Sequence, residues 1–286
     1  MAIAAFQSGA ETFDHCRYDG SKLLLRGPRR NLDGAFVACL GGTETHARYI
    51  ERPFPDLLEE SLGVTCVNFG WPNAGIDVFR ADPALVDCAS RSQLCVLQVP
   101  NAINLSNMYY RVHPRRNDRV LEATDAMRAL FPCVDFTEFS FTRHLLTRLR
   151  SDWPDAYQYL RKELAAVWQA GMQDLLSRID APVVLLWLSA RRPEEKADQP
   201  HLAADPGLVT REMLEHVRPL ASGIVEVLVD QSGRGLDAGD VGLKPSRAES
   251  VLNAQAHLAT ADALTPTISG LLQTQKGPPL GRASNS

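Results

Sequence analysis

Short apolar runs recur along the chain, each closed by small polar residues and followed by a segment with helical spacing. The stretch FVACLGGTETHARY, Phe36 to Tyr49, shows the pattern most densely: a buried strand, two glycines for a tight turn, then an amphipathic start. The first strand is predicted over Ala35–Leu40. Arg48–Leu62 then has helical periodicity, with Pro53 and Pro55 interrupting its first turn and Gly63 ending it. Thr65–Phe69 is the second predicted strand, followed by GWPNAG over 70–75, and Pro83–Ser90 a short helix. Leu94–Val99 is the third strand, leading into PNAINLSN over 100–107. Val183–Ser189 and Ile224–Val229 complete the set, with a helix over Val209–Leu220 between them and a last one from about Gln255 to Gln273. Nearly continuous apolar strands separated by helices predict a parallel sheet covered on both faces. Five of them predict an α/β fold, a doubly wound, flavodoxin-like sheet.

What lies between the third and fourth strands breaks this rhythm. Residues 105–180 are expected to form an insertion in an α/β domain spanning 34–273, preceded by an N-terminal arm over 1–33 and followed by a disordered tail over 274–286. Within the arm, KLLLRGPRR over 22–30 reads as an edge strand or packed arm. The insertion opens on NMYYRVHPRRNDR and continues through Thr142–Ile179, where leucines at helical spacing are divided by Pro154. Its first part is expected to cap the strand ends, and its second helix to cross back into strand four. Loops are expected over Ala190–Gly207 and Gln231–Ser246.

Composition changes the picture in a few places. A chain of 286 residues with 45% hydrophobic and 22% charged residues can bury a sizeable core. A formal charge of −4 excludes a general nucleic-acid binder, which carries a basic surface. No apolar run approaches the ~20 residues that span a bilayer. The N-terminus lacks a basic segment followed by a long apolar one, so a cytoplasmic location is expected. The six cysteines include no CxxC pair and are expected to be free thiols, mostly buried. Metal-ligand spacings of the HxH or HExxH type are absent as well, so neither a metal nor a cofactor is expected. The expected partner is a small-molecule substrate; nothing in the residues sets an oligomeric state.

Open α/β sheets place ligands at the carboxyl ends of their strands. Three predicted turns carry small polar residues there: Gly42-Thr43, Gly70 with Asn73, and Asn101 with Asn104. His257 stands at the start of the last helix. This layout resembles that of the SGNH (GDSL-type) hydrolases. The resemblance implies Thr43 as nucleophile, His257 as general base, and Gly70 with Asn104 as the oxyanion hole. It implies an acyl-ester hydrolase or acyltransferase acting on a small or carbohydrate ester. The chain departs from the family's pattern at several points. Thr43 replaces serine, Gly42 replaces the aspartate before it, and Ala254 stands where an aspartate precedes the histidine by three residues. A larger part of the chain, including LGGTET, PFPDLLEE, VNFGWPNAGID and VDFTEFSFTRHLL, resembles a bacterial family of unassigned function with this same fold.

A second anchor is HPRRNDR over 113–119, with Arg111 just upstream. Arg111, His113, Arg115 and Arg116 suit an anion, which would sit on the backbone of Gly42–Thr45 near Asn73. GGTET also resembles the phosphosulfate-binding turn of sulfotransferases, without the basic residue that precedes it there. Internal pairing of the arginines with Asp118 and Glu122 is the competing reading. His46 is read as an accessory base or an exposed helix residue, His144 as packing or pairing, His201 and His216 as surface residues, and Glu44 as a helix cap. Three readings stay open: the hydrolase or acyltransferase, a phosphate- or sulfate-ligand transferase or binding module, and an SGNH-like scaffold without chemistry.

Overall fold

The computed structural model describes residues 13–194, 202, 204–235 and 251–275. In chain order the strands are β1 (His15–Cys16), β2 (Leu25–Arg26), β3 (Phe36–Gly41), β4 (Thr65–Gly70), β5 (Leu94–Gln98), β6 (Tyr110–His113), β7 (Arg116–Ala123), β8 (Val183–Ser189) and β9 (Gly223–Leu228). The helices are α1 (Thr43–His46), α2 (Phe54–Leu62), α3 (Ile76–Arg80), α4 (Pro83–Arg91), α5 (Asp125–Leu130), α6 (Thr142–Asp152), α7 (Pro154–Ser177), α8 (Arg211–Val217) and α9 (Ala254–Gln275).

The central sheet runs β4-β3-β5-β8-β9, all parallel. This is the doubly wound order expected from the alternation of strands and helices. Side chains alternate between the two faces, as the twofold period of a strand requires. Phe36, Ala38 and Leu40 of β3 pack with Trp168 and Met172 of α7 and with α3, α4 and α8. Val37 and Cys39 face α2 and α9, through Phe54, Leu58, Leu264 and Ile268. A third cluster, including Tyr110, Phe131, Leu146 and Leu160, is the core of the insertion. Helix α7 joins it to the main body: Tyr157, Leu160 and Leu164 lie in the insertion core, and Trp168, Met172 and Leu175 lie under the sheet.

Several local expectations shift. The helix expected from Arg48 begins only at Phe54, because Pro53 takes the capping position and Pro55 the first turn. The segment NMYYRVHPRRNDR folds as the antiparallel hairpin β6–β7, whose pairing shifts register beside Val112. Thr274 and Gln275, expected in the tail, continue α9, while 276–286 lie outside the described residues, as do 195–201 and 236–246 of the two expected loops. The cysteines are free: Cys39, Cys66, Cys88 and Cys95 are buried, Cys16 is half-buried and Cys133 exposed. Among the described residues no helix is long and apolar enough to cross a membrane.

The arm is fastened to the body at two places. Asp82 caps α4 by accepting from Leu85 N at 3.2 Å, and its other oxygen accepts from Ser21 Oγ at 2.7 Å and Lys22 N at 3.2 Å. Asp82→Ala is therefore expected to lower stability by about 1–2 kcal/mol, read as a shift in the urea midpoint. An unchanged midpoint would show that the cap contributes nothing. The second fastening is Arg26, 5% exposed, which donates to the carbonyls of Ala47 at 2.7 Å, Ile50 at 2.8 Å and Glu51 at 2.9 Å. It thereby holds the segment leaving α1, where Ala47 is left-handed at φ 51°.

Candidate functional site

Strands β3 and β5 end side by side, and the turn after β3 folds over Gln98, the last residue of β5. Gln98 Oε1 accepts from Gly42 N at 3.0 Å, Thr45 N at 3.2 Å and Thr45 Oγ1 at 2.6 Å. With its oxygen so occupied, the amide nitrogen points the other way and donates to Glu44 Oε2 at 2.7 Å. One buried amide thus sets the whole Gly42–Thr45 turn. The neighbouring strand end contributes Asn68, whose amide donates to Thr45 O at 2.7 Å and accepts from Gly70 N at 2.9 Å.

Above this floor lies a cavity of about 520 Å³. Gly42, Thr43, Glu44 and Gln98 line it from the sheet side, with Asn73, Asn101 and Asn104 from the turns after β4 and β5. The insertion supplies the opposite wall: Asp118 from β7, then Phe141, Thr142, Arg143, His144 and Thr147 at the start of α6. Asp205, on the segment after β8, closes one side and pairs with Arg143 at 2.6 Å. Arg143 also donates to Leu202 O. Among the described residues, the side chains lining the cavity carry three aliphatic hydroxyls, four amides, three carboxyls, a guanidinium and an imidazole.

Thr43 is exposed on this surface, and its hydroxyl donates to Asn73 Oδ1 at 3.2 Å while accepting from Asn73 N at 3.0 Å. Asn73 adopts φ 56°, a conformation that asparagine tolerates better than most residues. Asn104 is 5% exposed; its oxygen accepts from Thr142 Oγ1 at 2.8 Å, which leaves its amide nitrogen for the cavity. Gly75 makes room for this arrangement, since a Cβ there would overlap the Asn104 carbonyl oxygen. Burial, and after it the Asp205 carboxylate, holds the Glu44 carboxyl above the ordinary glutamate range.

The structure gathers Gly42, Thr43, Asn73 and Asn104 at one cavity and places Thr45, Gly70, His257 and the basic residues of the hairpin outside its lining. Gly70 does not line the cavity: its N–H is taken by Asn68, and its carbonyl accepts from His46 Nδ1 at 3.1 Å. His257 is 1% exposed, stacked on Phe54, with Nδ1 accepting from Phe54 N at 3.2 Å. Desolvation pushes its pKa down to about 4, so it is a neutral packing group on the α2–α9 side. Of the N–H groups expected to cradle an anion, those of Gly42 and Thr45 donate to Gln98 Oε1. Arg111 donates to Asn107 O, and Arg115 and Arg116 flank the hairpin turn, where both their N–H groups donate to His113 Nδ1 at 3.2 Å. None of these four lines the cavity. His46 is buried rather than exposed, and His144 faces the cavity with its ring 5.0 Å from Phe139. His216 meets Gln173 on the surface, and His201 lies outside the described residues.

Sequence reasoning did not single out Gln98, Phe141, Thr142, Arg143 or Asp205. Only Gln98 left a signal, as the one polar residue in the otherwise apolar run LCVLQ. Among the described residues no group of histidine, cysteine and carboxylate side chains is arranged to hold a metal.

Comparison with solved structures finds similar chains at low identity. A protein assigned to the G-D-S-L lipolytic family from Desulfitobacterium hafniense DCB-2 is 10% identical, with 82% of this chain and 99% of that one covered, at a TM-score of 0.42. A catalytic mutant of Axe2, an acetylxylan esterase from Geobacillus stearothermophilus, is 10% identical over 82% and 94% of the two chains, at 0.44. The lipase Lip_vut3 from a goat rumen metagenome is 14% identical over 84% and 100%, at 0.44. No curated protein matches the sequence. A family profile matches residues 1–272, nearly the whole chain, and the protein belongs to the family described as Domain of unknown function (DUF6473).

Proposed function

We propose that the protein is an acyl-ester hydrolase or acyltransferase whose substrate is a small ester, an acylated carbohydrate being the class the cavity suits best. The observation that carries this reading is the meeting of the Thr43 hydroxyl and the Asn104 amide across one polar cavity. Thr43 is the acyl acceptor, and the amide nitrogen of Asn104 is the donor to the oxyanion that forms on the acyl carbon. The planar groups of Asn73, Asn101 and Asp118 suit paired hydrogen bonds to sugar hydroxyls, and Phe141, 42% exposed, offers an apolar face. His257 has no part in this reading.

The balance of charge disfavours a phosphate or sulfate ligand. Glu44, Asp118 and Asp205 line the cavity, and its single arginine among the described residues, Arg143, is already paired with Asp205. Like charges brought into a partly desolvated cavity repel. A second reading, binding of the same ligand class without turnover, is favoured by the sealed position of His257.

The test is acetate release from 4-nitrophenyl acetate and from glucose pentaacetate by the purified protein and by Thr43→Ala. The expected result is turnover by the wild type and background rates for the variant. Undiminished turnover by Thr43→Ala overturns the nucleophile. A wild type that is inert, yet stabilised by the acetylated sugar in a thermal-shift measurement, supports the second reading instead.

A further inference from the structure

The cavity holds a hydroxyl without the C-terminal imidazole expected to activate it. The carboxyl of the next residue is placed beside the same turn. Glu44 Oε2 accepts from Gln98 Nε2 at 2.7 Å, and it lies 3.6 Å from where a Cβ on Gly42 would stand. The glutamate carboxyl therefore lies within van der Waals reach of the residue that precedes Thr43. Gln98 is itself held by three donors, so the orientation of the carboxyl is set by the sheet and not by a mobile loop.

We propose that Glu44 is the acid–base residue of this site, taking and returning the proton of the Thr43 hydroxyl; this rests on the acyl-transfer reading above. The Glu44 carboxylate accepts the proton, directly or through one water, as Thr43 Oγ bonds to the acyl carbon and the carbonyl electron pair moves onto oxygen. When the tetrahedral intermediate collapses, the bond to the alcohol oxygen breaks and that oxygen takes the proton from Glu44. Water, or an acceptor alcohol, then repeats the two steps on the Thr43 ester and restores both side chains. A threonine hydroxyl so activated needs no histidine.

The surroundings suit a base that is stronger than an exposed glutamate. Burial raises the carboxyl first, and Asp205, from the segment after β8, raises it further. Gln98 and Arg234 act in the opposite direction. The other charged or titratable groups on the cavity are Asp118 from β7 and Arg143 and His144 from α6.

The experiment compares Glu44→Gln with the wild type on glucose pentaacetate across pH, acetate being followed by chromatography. Glutamine keeps the shape and can still accept from Gln98. If Glu44 is the base, kcat falls by about 10²–10⁴-fold in the variant. The acid limb of the wild-type profile, in which kcat rises as Glu44 ionises, disappears with it. A thermal midpoint at or above that of the wild type at alkaline pH shows that the variant is folded, because the raised carboxyl costs the wild type stability once it ionises. A folded variant that keeps the wild-type rate and acid limb overturns the role of Glu44 and leaves Thr43 standing. A wild type without turnover overturns both at once.

Discussion

Gly70→Ala is expected to lose about 3 kcal/mol of stability or more, seen as a large fall in the urea midpoint, before any effect on chemistry is considered. A Cβ at this position would lie 2.7 Å from the Thr45 carbonyl carbon and 2.8 Å from His46 Cα, and would overlap His46 N. These are backbone atoms of α1, which cannot rotate away as the end of a long side chain does. The turn bearing Thr43 would have to move, and with it the contacts of Gln98 and Asn68 to Thr45. Glycine is required here for close approach of two backbones rather than for an oxyanion donor. An oxyanion role makes the opposite prediction, an alanine variant with the wild-type midpoint and reduced turnover. That result would overturn the steric account.

The second large effect is acid destabilisation through His257. Its ordinary value of 6.5 falls to about 4 because the ring is buried, with the Arg26 charge adding to the shift. The folded state therefore favours the neutral imidazole, and protonation would also remove the acceptor for Phe54 N. The sign follows directly: this stability is fully present above 6.5 and is lost as pH falls toward 4. A shift of this size corresponds to about 3 kcal/mol across that window. His257→Leu should abolish the corresponding part of the slope in a series of urea midpoints against pH. At neutral pH the leucine variant should itself be about 1–3 kcal/mol less stable, since Phe54 N is left buried without a partner. If the two proteins lose stability in parallel on acidification, His257 is not the group responsible.

These two effects describe how the cavity floor is built. Gly70 lets α1 press onto β4, and His257 anchors the start of α2 from the other side of the sheet. Arg26 ties the segment between α1 and α2 through its carbonyls, so the arm supports the same turn. Hydrogen bonds made by Gln98 and Asn68 hold the floor, while the opposite wall comes from the insertion and from the Arg143–Asp205 pair, both side chains being more than a third exposed. A pair so open to solvent contributes little to stability.

By itself the sequence determined the five strands of the central sheet, their parallel arrangement and the longer helices around them. An apolar run such as VVLLWLS has to be buried on both faces, and the run and its flanking breakers are local. The helix break at Pro154 and the end of α2 at Gly63 were legible for the same reason. The layout of polar turns also pointed to the edge of the sheet where Thr43, Asn73 and Asn104 line one cavity. Only the tertiary structure decided which other groups join them. Arg143 and Asp205 meet across 62 positions of sequence, and Gln98 reaches back over more than fifty to the Gly42–Thr45 turn. His257, at the head of a helix where a catalytic base would stand, turns inward because the face of α9 that carries it packs on α2. The cause is physical: secondary structure follows from neighbours along the chain, whereas the contents of a cavity follow from how separate elements dock, and docking is set by their packed faces rather than by any one motif.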